Sequence, residues 1–166
     1  MKSEKSHTLL KSSILFEMHG EKLYLEAAAK AESTEVKDFF NRMAKDEHDH
    51  ADILRAVFDA YHEGTKFISQ TNTWFTTNKV EEIRNPLLVE LIKSSSFEAA
   101  AITAAILMEE KSVIEYKLMA QEAEDADEKK LYLWLAKWEQ EHVERLSILR
   151  DGLKIKTLIT ERLETF

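Results

Sequence analysis

An all-α fold, a four-helix bundle of two antiparallel helical hairpins joined by a long crossover, follows from three observations. The 166 residues hold only three glycines and one proline, while Ala, Leu, Glu and Lys, all strong helix formers, are abundant. Apolar residues recur at alternating three- and four-residue steps through four long stretches, the period of a helix with one buried face. The two halves of the chain also align without a gap at an offset of 92 residues, pairing Ile14 with Ile106, Ala44 with Ala136 and Leu54 with Leu146, so each half is expected to form the same hairpin. A chain of this length is expected to be one domain with a substantial core.

The first helix is expected over about residues 6–32, with the face Leu10, Ser13, Glu17, Gly20, Tyr24, Ala27 and Ala31. Ser33-Thr34 offers an N-cap for a second helix reaching about residue 63, where Gly64 is a stop. Its stripe is Val36, Phe40, Met43, Glu47, His50, Leu54, Val57 and Tyr61. Residues 64–95 turn rich in Thr and Asn and read as a crossover, with Asn85-Pro86 opening a short extra helix through Lys93. A second hairpin is expected over about residues 96–150. Its first helix presents Ile102, Ala105, Glu109, Ser112, Tyr116, Met119 and Ala123; its second presents Tyr132, Leu135, Glu139, His142, Leu146 and Leu149. Asp127 is the expected cap of that last helix and Gly152 its end, which leaves residues 153–166 as a C-terminal tail, a short packed helix or a mobile end.

Charge and composition narrow the function. A net charge of −8 with no clustered positive field argues against nucleic acid and anionic membranes. Zero cysteines exclude disulfides, thiolate catalysis and iron–sulfur clusters within these residues. The apolar stretch Leu9 to Phe16 is interrupted by Lys11, Ser12 and Ser13, so neither a signal peptide nor a membrane span is expected, and the cytoplasm is the default location.

The chemistry lies where the apolar stripes are broken. Glu47-x-x-His50 and Glu139-x-x-His142 each place a carboxylate and an imidazole one turn apart, and Glu17 and Glu109 stand 30 residues before each glutamate. A single Glu-x-x-His is most often a solvated face or an ion pair. Two copies, in register with two further glutamates and all on inward faces, need another explanation, because buried carboxylates must find compensating charge or protonate. Two divalent cations would neutralise four glutamates, and the oxygen-rich, sulfur-free donor set suits iron or manganese. A polar seam that only sets bundle register does not need histidine twice at one place. Gly20, Ser13, Ala105 and Ser112 are small and would leave room beside the metals.

These residues resemble the ferritin-like di-iron carboxylate proteins, and among them the rubrerythrin-like (erythrin) branch, over about residues 8–62 and 96–150. The resemblance includes a tyrosine seven residues after each of Glu17 and Glu109. It implies bridging roles for Glu47 and Glu139, terminal roles for Glu17 and Glu109, and one imidazole per metal from His50 and His142. Tyr24 and Tyr116 then resemble the tyrosines that hydrogen-bond ligating carboxylates. Two irons are the implied cofactor, with manganese or a mixed pair as variants. The implied reaction is reduction of hydrogen peroxide or dioxygen by a diferrous site. Rubrerythrins proper add a cysteine-ligated rubredoxin domain, for which this sequence has no ligands, so an external electron donor is implied. They also carry a further carboxylate where this chain has Ser112. A ferroxidase of the bacterioferritin type and a scaffold with a structural metal are the other readings, and a homo-oligomer, a dimer, is expected.

Other residues are read as packing or surface. His19 and His48 face away from the stripes, and His7 and His62 lie near helix ends. Trp134 and Trp138 are expected to pack beside the site, and the acidic run from Glu122 to Glu128 reads as a solvated turn.

Overall fold

The computed structural model describes residues 4–63 and 96–164, with side chains placed for 4–63 and 97–151. Four helices make up these residues: α1 Glu4–Lys30, α2 Thr34–His62, α3 Ser96–Glu122 and α4 Ala126–Glu164. Helix α1 packs on α2 and α3 on α4 as two hairpins, and α1 also lies against α3. The crossover and its expected short helix at Asn85-Pro86 lie outside the described residues.

The cap of α2 forms as expected, with Ser33 in extended conformation and its hydroxyl accepting a 3.2 Å bond from the Val36 N–H. The start of α4 differs. Asp125, not Asp127, caps it, its Oδ1 accepting from the N–H groups of Asp127 at 2.7 Å and Glu128 at 3.1 Å. Asp127 falls instead in the first turn, where its charge complements the helix dipole. The end of α4 differs too, since the helix passes through Gly152 to Glu164. Glycine inside a helix costs about 1 kcal/mol relative to alanine, and no proline follows it; the 39-residue helix carries that cost.

The hairpins meet head to tail. Ser13 of α1 lies beside Met119 of α3, and Glu98 near the start of α3 accepts a bond from the Glu32 N–H just past the end of α1. Helices α1 and α3 are therefore antiparallel, as are α2 and α4, where Asp46 meets Arg145 and His50 meets Glu139. The α1–α2 turn sits at one end of the bundle and the α3–α4 turn at the other, and a pseudo-two-fold axis across the bundle relates the halves. Two apolar clusters obey it. One holds Tyr24, Ala28, Phe40, Met43, Ala44, Ile102, Leu146 and Leu149; the other holds their repeat mates Tyr116, Ala120, Tyr132, Leu135, Ala136, Leu10, Leu54 and Val57. The polar residues of the stripes form a layer between them.

Candidate metal centre

Each of the six predicted ligands is at most 3 % exposed: Glu17, Glu47, His50, Glu109, Glu139 and His142. The helical period delivers them, because positions three apart point from adjacent turns of one face. They form two groups whose ligand atoms lie within 4.8 Å of one another: Glu17, Glu47, His50 and Glu139, and Glu47, Glu109, Glu139 and His142. Glu47 and Glu139 belong to both. Each group thus takes three residues from one hairpin and one carboxylate from the other.

His50 Nδ1 forms a 3.0 Å hydrogen bond with Glu17 Oε2, but the other internal contacts are close without being good hydrogen bonds. His142 Nδ1 lies 3.2 Å from oxygens of both Glu47 and Glu139, and His50 Nδ1 lies 3.3 Å from Glu139. Even so, Glu47 Oε1, both Glu139 oxygens and His142 Nδ1 have no hydrogen-bond partner, although all are buried. These unpartnered atoms belong to the two groups whose ligand atoms lie within 4.8 Å of one another. Buried polar atoms without partners are costly, and a cation among them would satisfy several at once. The donor set, four carboxylates and two imidazoles, fits two hard-to-borderline divalent ions such as iron or manganese.

Protonation tells the same story. Burial, reinforced by Glu139, pushes the Glu17 carboxyl well above the usual range; burial and Glu47 do the same to Glu109. Burial also works to raise Glu47 and Glu139, but the two imidazoles overcome it and hold both below the ordinary carboxylate range. Burial disfavours the imidazolium forms, yet the surrounding carboxylates raise His50 and His142 well above their ordinary value.

Tyr24 and Tyr116 are fully buried, and each donates its hydroxyl to a glutamate of the opposite hairpin, Tyr24 to Glu109 and Tyr116 to Glu17. Burial and these carboxylates push both phenols well above their usual range, so both remain donors. The seven-residue spacing places each tyrosine within its own helix but gives no hint that the bond crosses the two-fold axis.

Gly20 serves a different purpose from the one expected. A Cβ there would meet Glu47 Cγ at 3.2 Å and Cδ at 3.3 Å, so the space belongs to the Glu47 side chain. Gly20→Ala should weaken metal affinity by roughly tenfold, the scale of a displaced supporting contact, while leaving helicity intact. Unchanged affinity by metal titration would show that Glu47 has slack.

Several residues escaped the sequence reading. Asp46 faces the site, its Oδ2 3.6 Å from His142 Nε2 and 3.2 Å from Arg145 Nη1. Burial would raise Asp46, but His142 and Arg145 hold it below the ordinary range. Its place immediately before Glu47 was the available signal. Glu128 is buried rather than solvated, accepting from Ser6 at 2.7 Å and Tyr132 at 3.3 Å; it is the end of the acidic run that enters a helix. His48 sits on the surface with Glu21 and Asp52, and His19 is exposed. His7 and His62 are neighbours, packed with Phe58. Trp134 and Trp138 stand edge-on to the His50 ring, with centroids 5.9 and 5.1 Å away.

Comparison with known proteins adds to this geometry. The family profile described as rubrerythrin matches residues 8–150. A solved structure of a hypothetical protein from Pyrococcus furiosus is similar at 19% identity, covering 89% of each chain with a TM-score of 0.57, a likeness of fold. No curated protein matches the chain. Among the described residues no helix is long and apolar enough to cross a membrane.

Proposed function

This chain belongs to the rubrerythrin family, and from that premise we propose that it is a di-iron oxidoreductase that reduces hydrogen peroxide. One observation carries the reading: two buried four-residue groups, each able to hold a metal ion, share Glu47 and Glu139. Glu17 and His50 would complete one position, Glu109 and His142 the other. Two ferrous ions held there would supply two electrons, enough with two protons to reduce one hydrogen peroxide to two waters.

The chain's own residues prepare the site for that chemistry. Tyr24 and Tyr116 fix the terminal glutamates from the opposite hairpin. The apolar clusters on both sides exclude bulk water from the layer. These 166 residues contain no cysteine ligands for a rubredoxin-type iron, so the proposed electrons would reach the layer from a donor outside them. We also infer a homodimer, formed through the outward face of α3, where Leu107 is 63% and Ile114 59% exposed.

The test is an anaerobic ferrous titration of metal-free protein, then rapid mixing of the loaded protein with peroxide or dioxygen. Two irons per chain and faster oxidation by peroxide support the proposal. Faster oxidation by dioxygen, with continued iron uptake and a cage-sized particle, would replace it with a ferroxidase. Stable metal without turnover would leave a structural site.

A further inference from the structure

The two metal positions are backed differently. Behind His142, Asp46 Oδ2 lies 3.6 Å from Nε2 and is itself held by the buried Arg145. Neither Nε2 atom makes a full hydrogen bond, but behind His50 the described residues place no carboxylate at ion-pair distance from Nε2, its carboxylate neighbours all standing at Nδ1, and the ring is flanked by the indoles of Trp134 and Trp138. The repeat makes the contrast sharp. Ninety-two positions on from Asp46 is Trp138, and ninety-two before Arg145 is Ile53. An acid–base pair on one side of the two-fold axis is replaced on the other by an indole and an aliphatic side chain.

A ligating imidazole is strengthened when its other N–H donates to a carboxylate, which fixes the tautomer and raises the basicity of the coordinating nitrogen. His142 coordinating through Nδ1 would leave Nε2 beside Asp46, 3.6 Å away and within reach of a hydrogen bond after a small closure. His50 coordinating through Nδ1 leaves Nε2–H against indole rings. We propose that the two positions are therefore unequal: the His142–Glu109 position binds its ion first and tightly, and the His50–Glu17 position is the labile one. Asp46 is the positioning residue that sets the order. This inference rests on the two-metal reading above.

Cobalt(II) titration of metal-free full-length protein, followed by visible absorption and bound stoichiometry, tests it without any turnover. Two steps should appear, separated by roughly tenfold to a hundredfold, the usual effect of such a supporting partner. Asp46→Asn should weaken the first step by about that factor and spare the second, and Trp138→Asp should tighten the second towards the first. His50→Ala should keep the tight step and lose the weak one, with His142→Ala doing the reverse. Equal steps in the parent protein, or a tight step that survives His142→Ala, would overturn the inequality and leave the two-metal reading standing. Repulsion between the two ions would also separate the steps, but then neither Asp46→Asn nor Trp138→Asp would narrow the gap, which likewise overturns it. No bound cobalt at all would instead refute the metal site itself.

Discussion

Replacing Glu47 and Glu139 together by alanine should abolish binding of two metal ions. Each carboxylate belongs to both four-residue groups, so the double variant strips two ligands from each position and leaves one glutamate and one histidine. Losing a mere supporting partner already costs roughly tenfold to a hundredfold in affinity, and losing two direct ligands must cost more than a hundredfold. Glu17→Ala is the control, because Glu17 belongs to one group alone; it should retain one tight ion per chain. Circular dichroism checks that the helices persist, and full stoichiometry in the double variant would refute the shared-carboxylate assignment.

The second large effect is in the coupling of stability, pH and metal. Glu17, Glu109, His50 and His142 all have folded-state pKa values raised above the unfolded ones. The folded state therefore binds more protons than the unfolded state, and stability falls as pH rises through those values. For the carboxyls the loss begins above their ordinary value of 4.5, and for the imidazoles above 6.5. Glu47 and Glu139 act oppositely, their contribution being lost only as pH falls below the ordinary carboxylate range. The metal-free protein should thus melt at a lower temperature at pH 8 than at pH 6.

Divalent ions displace protons from these groups, so affinity rises with pH. At free metal a thousandfold above Kd the gain is about 4 kcal/mol for each ion, a melting shift of roughly 10 °C per ion for a chain of this size. That shift should be larger at pH 8 than at pH 6. A differential scanning experiment giving the same metal-induced shift at both pH values would show that the ligands are not protonated in the metal-free state.

Much of this was legible in the sequence because the site interrupts strong patterns. Glu17, Glu47, His50, Glu109, Glu139 and His142 stand on stripes that are otherwise apolar or small, and the helical period alone turns all six inward. The repeat supplied the pairing of halves, and Ser33 declared its cap by residue type. The misses have physical causes. Asp125 and Asp127 are equally good caps in isolation, and which one is used depends on where the α3–α4 turn closes. Gly152 reads as a stop only if nothing beyond it favours helix. Asp46 and Arg145 lie 99 positions apart, so their meeting is a property of how the hairpins dock, which no local period encodes. The same holds for the exchange of tyrosine hydroxyls between hairpins.

The pseudo-two-fold axis has a further consequence. Two separate but identical hairpins, docked about the same axis, would build the same six-ligand layer, because each half supplies three ligands to its own position and lends one to the other. Such a pair would be obliged to carry Asp at both backing positions, or Trp at both. Covalent fusion removes the obligation. In one chain the halves can drift apart at Asp46 and Trp138, and at Ile53 and Arg145, so a centre whose ligands remain symmetric acquires surroundings that are not.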